Sequence, residues 1–341
     1  STLAEIPWAA VETPMPTLPE LALCYAWLGL LWWRWRRPAD RRRRVLVVAL
    51  AVITITDVSY WVWERAFDPD LRVTFLSVGQ GDAAVVELPR GAGVMVVDGG
   101  GLPGDYDPGE RVVAPFLRSR KILSVDVLVA SHPQLDHFGG LTYLTEHFGP
   151  TEIWSNGTRA AGAAFARFEA ALASERVRPV VLRRGMRREL GDARVEILHP
   201  ASPDGLGVND ASLVLRLAYG ETNILFTGDV EHVAEADLLR AGLAPATDVL
   251  KVAHHGSATS STAPWLAAVR PRVAVVSSGE GNRFGFPAPA VVRRLHAAGA
   301  RVWNTAEHGA VRVVSDGREV TVRAFRDARA ETRFELSKSL W

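Results

Sequence analysis

The amino-acid sequence predicts an α/β protein in which two mixed β-sheets pack face to face with helices on both outer faces, an αββα sandwich, preceded by two transmembrane helices. Two apolar stretches near the N-terminus predict the membrane helices, and from Arg72 onward strand-like runs alternate with helical runs. Hydrophobic residues make up 48% of the 341 residues, enough for a large core. The formal net charge of +1 gives no overall electrostatic case for a nucleic-acid partner, so a DNA path would need a local patch.

The first element, residues 1–66, is predicted to be a membrane segment. Its apolar stretches, about 18–35 and 45–63, flank an arginine-rich loop, and residues 34–44 hold seven arginines. The second stretch would measure about 28 Å as a helix, close to the hydrocarbon thickness of a bilayer. Tryptophans gather at the ends of both stretches, as in interfacial belts. A pair of buried helices in a soluble protein is the alternative.

The arginine-rich loop also predicts an orientation. Positively charged loops stay in the cytoplasm, so both helices would lead to the other side and everything after residue 64 would be extracytoplasmic. Asp57, inside the second apolar stretch, would be costly in lipid unless it faced protein or water. The segment is therefore expected to belong to a larger helical bundle.

Residues 72–325 are predicted to form the sandwich, and residues 326–341 a C-terminal tail. Turn signals such as Gly99–Gly101 separate the elements. The predicted strands are 73–78, 83–88, 94–98, 125–130, 152–154, 179–182, 194–198, 212–218, 222–228, 248–253, 273–278, 301–303, 310–314 and 319–324. The predicted helices are 108–119, 138–148, 160–174, 231–241, 262–270 and 288–298. The first three strands form a meander, and the later ones are interleaved with helices.

Polar side chains appear where several predicted strands stop or start. They are Asp98 after VMVV, His132, Asp136 and His137 after VDVLVA, Asn209 and Asp210 before SLVLRL, Asp229 after ILFTG, and His254 and His255 after VLKVA. Strand ends in a layered fold can meet at one edge, where polar groups line a site. Each residue also has an ordinary alternative, since Asp98 could be a turn aspartate and Asp229 a helix N-cap. Together, however, the residues predict a metal site.

These residue types indicate the chemistry of the site. Imidazole nitrogens and carboxylate oxygens hold divalent Zn or Mn, and a carboxylate such as Asp229 can bridge two ions. Two ions about 4 Å apart bind both sides of an in-line displacement and generate hydroxide at neutral pH. One or two divalent ions here would therefore suit hydrolysis of esters, especially phosphodiesters.

Seven motifs occur in a fixed order: FLSVGQGDAAVVEL, VVDGG, SHPQLDHFGGL, NDASLVLRL, ILFTGDVE, LKVAHHGSATSS and NRFGFP. Over about residues 72–325 they resemble the metallo-β-lactamase-fold domain of the ComEC-type DNA-uptake competence proteins, and the preceding segment looks like the end of that family's membrane channel. The resemblance implies a multi-pass protein of the inner (cytoplasmic) membrane with an extracytoplasmic, metal-dependent deoxyribonuclease domain that acts on the non-transported strand. Its partners would be DNA, the membrane, upstream channel helices and other DNA-uptake proteins.

The resemblance also implies roles for individual residues. His132 would bind a first metal ion, and Asp136 and His137 a second. Asp229 would bridge the two ions. Asp136 would in addition be a candidate catalytic residue.

The remaining motif residues would support this centre. One of His254 and His255 would be a metal ligand and the other an acid–base or supporting group, so both are candidate catalytic residues. Asp98 would orient the cluster through hydrogen bonds. The glycine-rich turn 79–82 should pass close under the site. Residues that could bind metal or support its ligands are Asp82, Gln134, Asn209 and Asp210. Ser257 and Asn282 could bind substrate.

Three residues depart from the family pattern. Ser77 stands where the family usually has Asp, Gln134 where it has Asp or His, and Phe286 where it often has His. A neutral amide oxygen is a weak ligand and brings no charge to offset a dication. The first metal site is therefore expected to be weak.

Two other functions stay open at this point. One is a non-catalytic sandwich that guides DNA or supports the channel. The other is a phosphodiesterase of a different substrate, because the same fold hydrolyses many esters. The arginines of residues 177–190 are the best candidate for a DNA patch, with a solvated face as the alternative.

Overall fold

The computed structural model describes residues 13–36, 41–327 and 331–336. Parts of the predicted membrane segment and tail, including residues 37–40 of the arginine-rich loop, lie outside these ranges. The chain divides into two compact units. The first unit is Ser1–Asp68 with Pro115–Leu123, and the second is Pro69–Ala114 with Ser124–Trp341.

Within the described residues, the two long helices of the first unit are α1 (Leu18–Arg36) and α2 (Arg41–Ala66). They contact each other, and the indole Nε1 of Trp27 donates a hydrogen bond to Thr54 Oγ1 at 3.0 Å. Both predicted apolar stretches are thus helical. The α2 helix begins in the arginine-rich stretch, earlier than its apolar residues alone suggested.

Among the described residues, α2 alone is long and apolar enough to cross a membrane. Its aliphatic side chains are largely exposed; Val48 and Ile55 expose 62% and 64% of their surface. Contiguous apolar surface of this kind marks an interaction with lipid or protein. The prediction of two transmembrane helices is not confirmed, because Glu20 and the arginines near the end of α1 lower the hydropathy of that helix.

The first sheet of the second unit consists, within the described residues, of nine strands. They are β1 (Leu71–Phe75), β2 (Ala83–Glu87), β3 (Val94–Gly99), β4 (Val127–Ala130), β5 (Glu152–Ser155), β6 (Arg178–Val181), β14 (Val311–Ser315), β15 (Glu319–Ala324) and β16 (Glu331–Glu335). Their order is β16–β15–β14–β1–β2–β3–β4–β5–β6. β3 to β6 run parallel, with Val96 opposite Leu128, and the other neighbours are antiparallel.

The second sheet consists of seven strands in the described part of the chain. They are β7 (Arg187–Leu190), β8 (Ala193–His199), β9 (Val214–Tyr219), β10 (Thr222–Phe226), β11 (Val249–Lys251), β12 (Val273–Val276) and β13 (Arg301–Asn304). Their order is β13–β12–β11–β10–β9–β8–β7. β10 to β13 run parallel, and β7 to β10 are antiparallel. Both sheets are therefore mixed, as predicted.

Helices cover the outer faces of the two sheets. In the second unit they are α4 (Leu135–Phe138), α5 (Leu141–Phe148), α6 (Ala163–Ser174), α7 (His232–Arg240), α8 (Ala263–Val269), α9 (Pro289–Ala297) and α10 (Thr305–His308). The short helix α3 (Ala114–Ser119) lies almost entirely in the Pro115–Leu123 segment of the first unit. α4 contacts β3 and α6 next to the first sheet. Side chains of α7, α8 and α9, such as Trp265, pack on the second sheet.

The main core lies between the sheets. Phe75 and Trp154 of the first sheet meet Phe226 and Trp303 of the second within one cluster of buried side chains. Burying one such large apolar side chain contributes about 1.5–3 kcal/mol relative to leaving it exposed. The predicted αββα sandwich is confirmed, and its packed core leaves the chemistry to the loops at the strand ends.

Two edge strands were not predicted. β7 has the sequence RREL, and β16 has ETRFE within the segment predicted to be a tail. Both alternate between exposed and half-buried residues at the border of a sheet. Because edge strands carry charges on their solvent side, their apolar signal is weak. Residues 331–335 thus extend the first sheet instead of leaving it.

Candidate metal centre

The predicted metal ligands meet at one edge of the sandwich. His132 follows β4 in the first sheet, whereas Asp229 and His255 follow β10 and β11 in the second. The side chains of His132, His137, Asp229 and His255 are each at most 1% exposed. Ionisable groups buried this deeply need partners of opposite charge or a metal.

The loop after β4 contains the short helix α4, which directs two neighbouring side chains differently. α4 leaves Asp136 partly exposed and turns His137 inward. The glycine-rich turn passes directly beneath, as expected, and Asp82 N donates to the carbonyl oxygen of Asp136 at 3.1 Å. Gly81 has a φ of +149°, and a Cβ there would lie 2.5 Å from that carbonyl oxygen. Only glycine allows this approach.

Asp229 lies at the middle of the cluster. Its Oδ2 is 3.3 Å from His137 Nε2 and 3.4 Å from His255 Nε2. His255 Nε2 is also 3.4 Å from Asp136 Oδ2. The potential ligand atoms form overlapping groups, among them His132–His137–Asp229 and Asp136–His137–His255, with all atoms of a group within 4.8 Å of one another.

The donor set fits a metal ion. Within the described residues, the Nε2 atoms of His132, His137 and His255 and both carboxylate oxygens of Asp229 are buried and lack a hydrogen-bond partner. Such groups are rare in folded proteins unless something else satisfies them. Imidazole and carboxylate are the ligands that Zn and Mn sites use. These bare atoms are the observation that a bound divalent ion would explain.

The opposite ring nitrogens are already held in place. His137 Nδ1 lies 2.9 Å from Asp98 Oδ2, and His255 Nδ1 lies 3.0 Å from the carbonyl oxygen of Ser277. Asp98 also accepts from Ser131 N and Ser131 Oγ, both at 2.8 Å. A partner behind an imidazole fixes its tautomer and orients the other nitrogen toward a metal. Asp98 thus has the position expected of an orienting residue.

The structure directs the side chains of the adjacent histidines to different places. His255 points into the cluster, whereas the side chain of His254 is 20% exposed at its rim. His254 Nδ1 lies 2.9 Å from Glu231 Oε1, which also accepts from Thr259 Oγ1 at 2.8 Å. Glu231 was missed by the sequence analysis. Its signal was the acidic position two residues after Asp229, in the motif GDVE.

Charge balance sets the protonation of the metal-free cluster. Burial lowers the pKa of His255, but the carboxylates of Asp229 and Asp82 outweigh burial and raise the pKa to about 10. The pKa of His137 is raised in the same way, by Asp229 and Asp98 against burial. Burial, and next the neighbouring His137, lowers the pKa of His132 to about 4. An ion that binds here would have to displace protons from His137 and His255 but not from His132.

A buried cation, which the sequence analysis also missed, lies beside the cluster. Lys251 ends β11, forms an ion pair with Asp82 and donates to the carbonyl oxygen of Gly228 at 3.2 Å. Its Nζ is 3.8 Å from Asp229 Oδ1. Burial lowers the pKa of Lys251, but Asp82 and Asp229 reverse the shift and raise it above its ordinary value. Asp82, predicted as a possible ligand, is therefore shared between a lysine and the metal cluster.

Three other predicted residues have different surroundings. Gln134 Nε2 donates to Asn209 Oδ1 at 2.6 Å, so the two amides bond to each other at the rim. Asp210 Oδ1 accepts from the backbone N–H groups of Glu231 and Ala234 at 2.8 and 3.0 Å. This carboxylate is occupied at the start of α7, where the helix dipole favours a negative charge, and does not face the cluster.

The two predicted substrate-binding residues are used to shape loops. Ser257 is buried, and its Oγ lies 2.9 Å from Thr259 Oγ1. Asn282 Nδ2 donates to the carbonyl oxygens of Gly279 and Phe286 at 2.9 and 2.7 Å, and its Oδ1 accepts from Phe286 N at 2.9 Å. With its donors and acceptor engaged inside its own loop, the Asn282 amide is not directed at a ligand.

The arginine stretch at residues 177–190 is largely neutralised. It contains five arginines, of which Arg178, Arg184 and Arg187 form ion pairs with carboxylates. Arg183 donates to the carbonyl oxygen of Asn156 at 2.8 Å. These contacts favour a solvated, internally paired face over a free phosphate-binding patch.

Comparison with known proteins relates the second unit to a large family. The family model of the metallo-beta-lactamase superfamily matches residues 76–280. The chain is 29% identical over 251 residues to ComE operon protein 3 of Bacillus subtilis, an alignment that covers 70% of this chain and 32% of that protein. It is 31% identical over 274 residues to Recombination protein 2 of Haemophilus influenzae, covering 80% and 32%. It is 28% identical over 305 residues to Competence protein ComA of Neisseria gonorrhoeae, covering 89% and 39%.

The chain thus spans about a third of the length of these curated relatives. The matches confirm the resemblance that the seven motifs predicted.

Proposed function

The chain belongs to the metallo-β-lactamase superfamily, and from this we propose that its second unit is a metal-dependent phosphodiesterase that cleaves DNA within a DNA-uptake membrane protein. The observation that carries the proposal is the set of bare imidazole nitrogens and carboxylate oxygens around Asp229. The competence role named for the relatives supports DNA as the substrate. The non-transported strand would be the one that is cut.

The central residues would hold the metal. Asp136, His137, Asp229 and His255 would bind one divalent ion, Mn or Zn, and His132 with Asp229 a second. When bound, the metal would supply Lewis acidity and a nucleophile at neutral pH. Asp98 and the carbonyl oxygen of Ser277 would keep the ligand imidazoles in register.

His254 would handle the proton needed by the leaving oxygen. Its Nε2 is 3.9 Å from Asp229 Oδ2, and Glu231 lies behind its Nδ1. A carboxylate close to an imidazole restricts the orientation of the ring. Because His254 is partly exposed at the rim, substrate can reach it. We therefore assign metal binding to His255 and proton transfer to His254.

The test uses the full chain purified in detergent. It should cut labelled DNA in millimolar Mn²⁺, stop in EDTA and recover on metal addition, as followed on denaturing gels. A chain shown by elemental analysis to carry metal, but leaving DNA intact, would favour the non-catalytic sandwich. Hydrolysis of bis(p-nitrophenyl) phosphate without any cutting of DNA would favour a phosphodiesterase of another substrate.

Gln134 is expected to limit occupancy of the ion at His132. Its amide bonds to Asn209 and brings no negative charge to the cluster. Gln134→Asp should tighten the second equivalent of metal by about tenfold to a hundredfold, judging from what supporting groups contribute, and raise the rate of DNA cleavage. Gln134→Asn is the matched control, because asparagine has the same side-chain length as aspartate but no charge. Calorimetric titration showing two tight ions in the unmodified chain would contradict this account.

The membrane arrangement is also a proposal. The α2 helix, with α1 as a second and shorter span, would place the arginine-rich loop in the cytoplasm and the second unit outside the cytoplasmic membrane. Protease added to intact spheroplasts should then digest the second unit, with a cytoplasmic marker protein left whole as control. Protection of the unit until the membrane is lysed would overturn this topology.

A further inference from the structure

Two stacked aromatic rings, one exposed and one half-buried, stand next to the rim histidine. Phe284 is 52% exposed and stacks on Phe286, with ring centroids 5.5 Å apart and an interplanar angle of 18°. Phe286 in turn meets His254 edge-on at 5.7 Å. The guanidinium carbon of Arg283 lies 4.9 Å over the Phe284 ring. We call Arg283, Phe284 and Phe286 the aromatic ledge.

The loop that carries the ledge is held at both ends. The Asn282 amide bonds three times to its own loop, and Gly279 N donates to Gln80 Oε1 at 3.3 Å, which ties the loop to the glycine-rich turn. After Pro287, Ala288 N donates to the carbonyl oxygen of Gly256 at 2.8 Å, directly beside the histidine pair. A Cβ on Gly256 would lie 2.6 Å from Pro287 Cβ, so the two segments are in close contact. The ledge is thus positioned before any ligand arrives.

We propose that the aromatic ledge binds an unpaired base of a nucleic-acid strand whose phosphodiester lies at the metal cluster. This inference rests on the proposed function and narrows its substrate to single-stranded DNA or frayed ends. Aromatic faces and guanidinium planes both stack on unpaired bases. Bases within an intact duplex do not present a free face to such a surface. Arg283 in addition supplies positive charge for the backbone, which the paired arginines of residues 177–190 offer less freely.

The ledge differs from an ordinary exposed phenylalanine. Single apolar side chains are common on protein surfaces and need no function. Here the exposed ring is stacked, accompanied by a cation, and connected through Phe286 to the proposed proton-transfer residue. Tyr106, in the loop between β3 and α3, offers a comparison, because it is 43% exposed with Arg111 at 5.7 Å over its ring. Its aromatic contact leads to no histidine of the cluster.

The experiment measures binding without cleavage. The full chain in detergent and EDTA is titrated with oligodeoxythymidine carrying one 2-aminopurine, followed by fluorescence anisotropy and quenching of the base analogue. Phe284→Ala should weaken binding about tenfold, the scale of one lost stacking contact, and abolish the quenching. Phe284→Trp should retain both signals, and Tyr106→Ala should leave both unchanged. A blunt-ended duplex of two fully paired strands should bind the unmodified chain and Phe284→Ala equally.

Several results would contradict the proposal that the aromatic ledge binds an unpaired base. They are unchanged oligonucleotide affinity in Phe284→Ala, an equal loss in Tyr106→Ala, an equal loss with the blunt duplex, or no binding of single strands by the unmodified chain. The binding measurement does not depend on catalysis, because it is made in EDTA. Base stacking on a chain that cuts no DNA would therefore support base binding by the aromatic ledge and contradict the proposed nuclease activity. DNA cleavage with an oligonucleotide affinity that does not depend on Phe284 would support the nuclease activity and contradict base binding by the aromatic ledge.

Discussion

Asp229→Ala should remove most of the bound metal and lower DNA cleavage by at least about a hundredfold, the scale of losing a central metal-site contact. The reason is geometric, because its carboxylate contacts His137 and His255 and belongs to groups on both sides of the cluster. Elemental analysis and gel-based cleavage rates check the prediction. Asp237→Ala, which removes an aspartate of α7 paired with Arg184, is the control that should keep full metal content. Metal content unchanged in Asp229→Ala would leave the aspartate with a purely structural role.

The same change should destabilise the metal-free chain. If repulsion between the carboxylates of Asp229 and Asp136 were the only effect, removing Asp229 would stabilise the chain. However, His137, His255 and Lys251 outweigh the burial of Asp229 and hold its pKa well below the ordinary range. Its stabilising effect is present above the ordinary aspartate pKa and is lost as pH falls toward the depressed one. The contribution of His255 is complete below its unfolded pKa near 6.5 and fades as pH rises through about 10. The difference in melting temperature between the two chains in EDTA should therefore be large near pH 7 and shrink as the pH rises toward 10.

Lys251→Met should lower the unfolding free energy of the metal-free chain by about 3–5 kcal/mol, the usual cost of leaving one partner of a buried ion pair alone. Methionine keeps the length of the side chain but leaves Asp82 without its lysine. Because the cluster also gains net negative charge, a divalent ion should raise the melting temperature more in the variant than in the unmodified chain. Thermal unfolding in EDTA and in Mn²⁺ gives both quantities.

A double variant isolates the ion pair. Lys251→Met combined with Asp82→Asn removes both charges, so it should recover much of the stability lost in Lys251→Met alone. If Lys251→Met is as stable as the unmodified chain and responds equally to Mn²⁺, the lysine does not balance the cluster. If the double variant is less stable than the unmodified chain by the sum of the effects of Lys251→Met alone and Asp82→Asn alone, the two residues act independently.

Local pattern was sufficient for most of the fold. Alternating and continuous apolar runs placed β2 and β15 within a residue of their observed ends, and the helix predicted over 231–241 likewise. The helix predicted over 160–174 begins three residues later, at Ala163. Local pattern was insufficient at β7 and β16, whose charged residues are tolerated because each strand has one edge in solvent. It also did not distinguish α2, which is long and apolar enough to cross a membrane, from the shorter α1.

The sequence by itself determined that imidazoles and carboxylates would gather at strand ends, because the residue types, their order and the strand periodicity are all local properties. Only the tertiary structure decided what each does. His254 and His255 both have left-handed φ angles, of 49° and 51°, so adjacent side chains diverge, one to the rim and one to the cluster. Lys251 becomes a buried counter-charge because β11 packs beside the turn that carries Asp82. Contacts between residues far apart in the chain exist only once the two sheets have packed, and no local pattern encodes them.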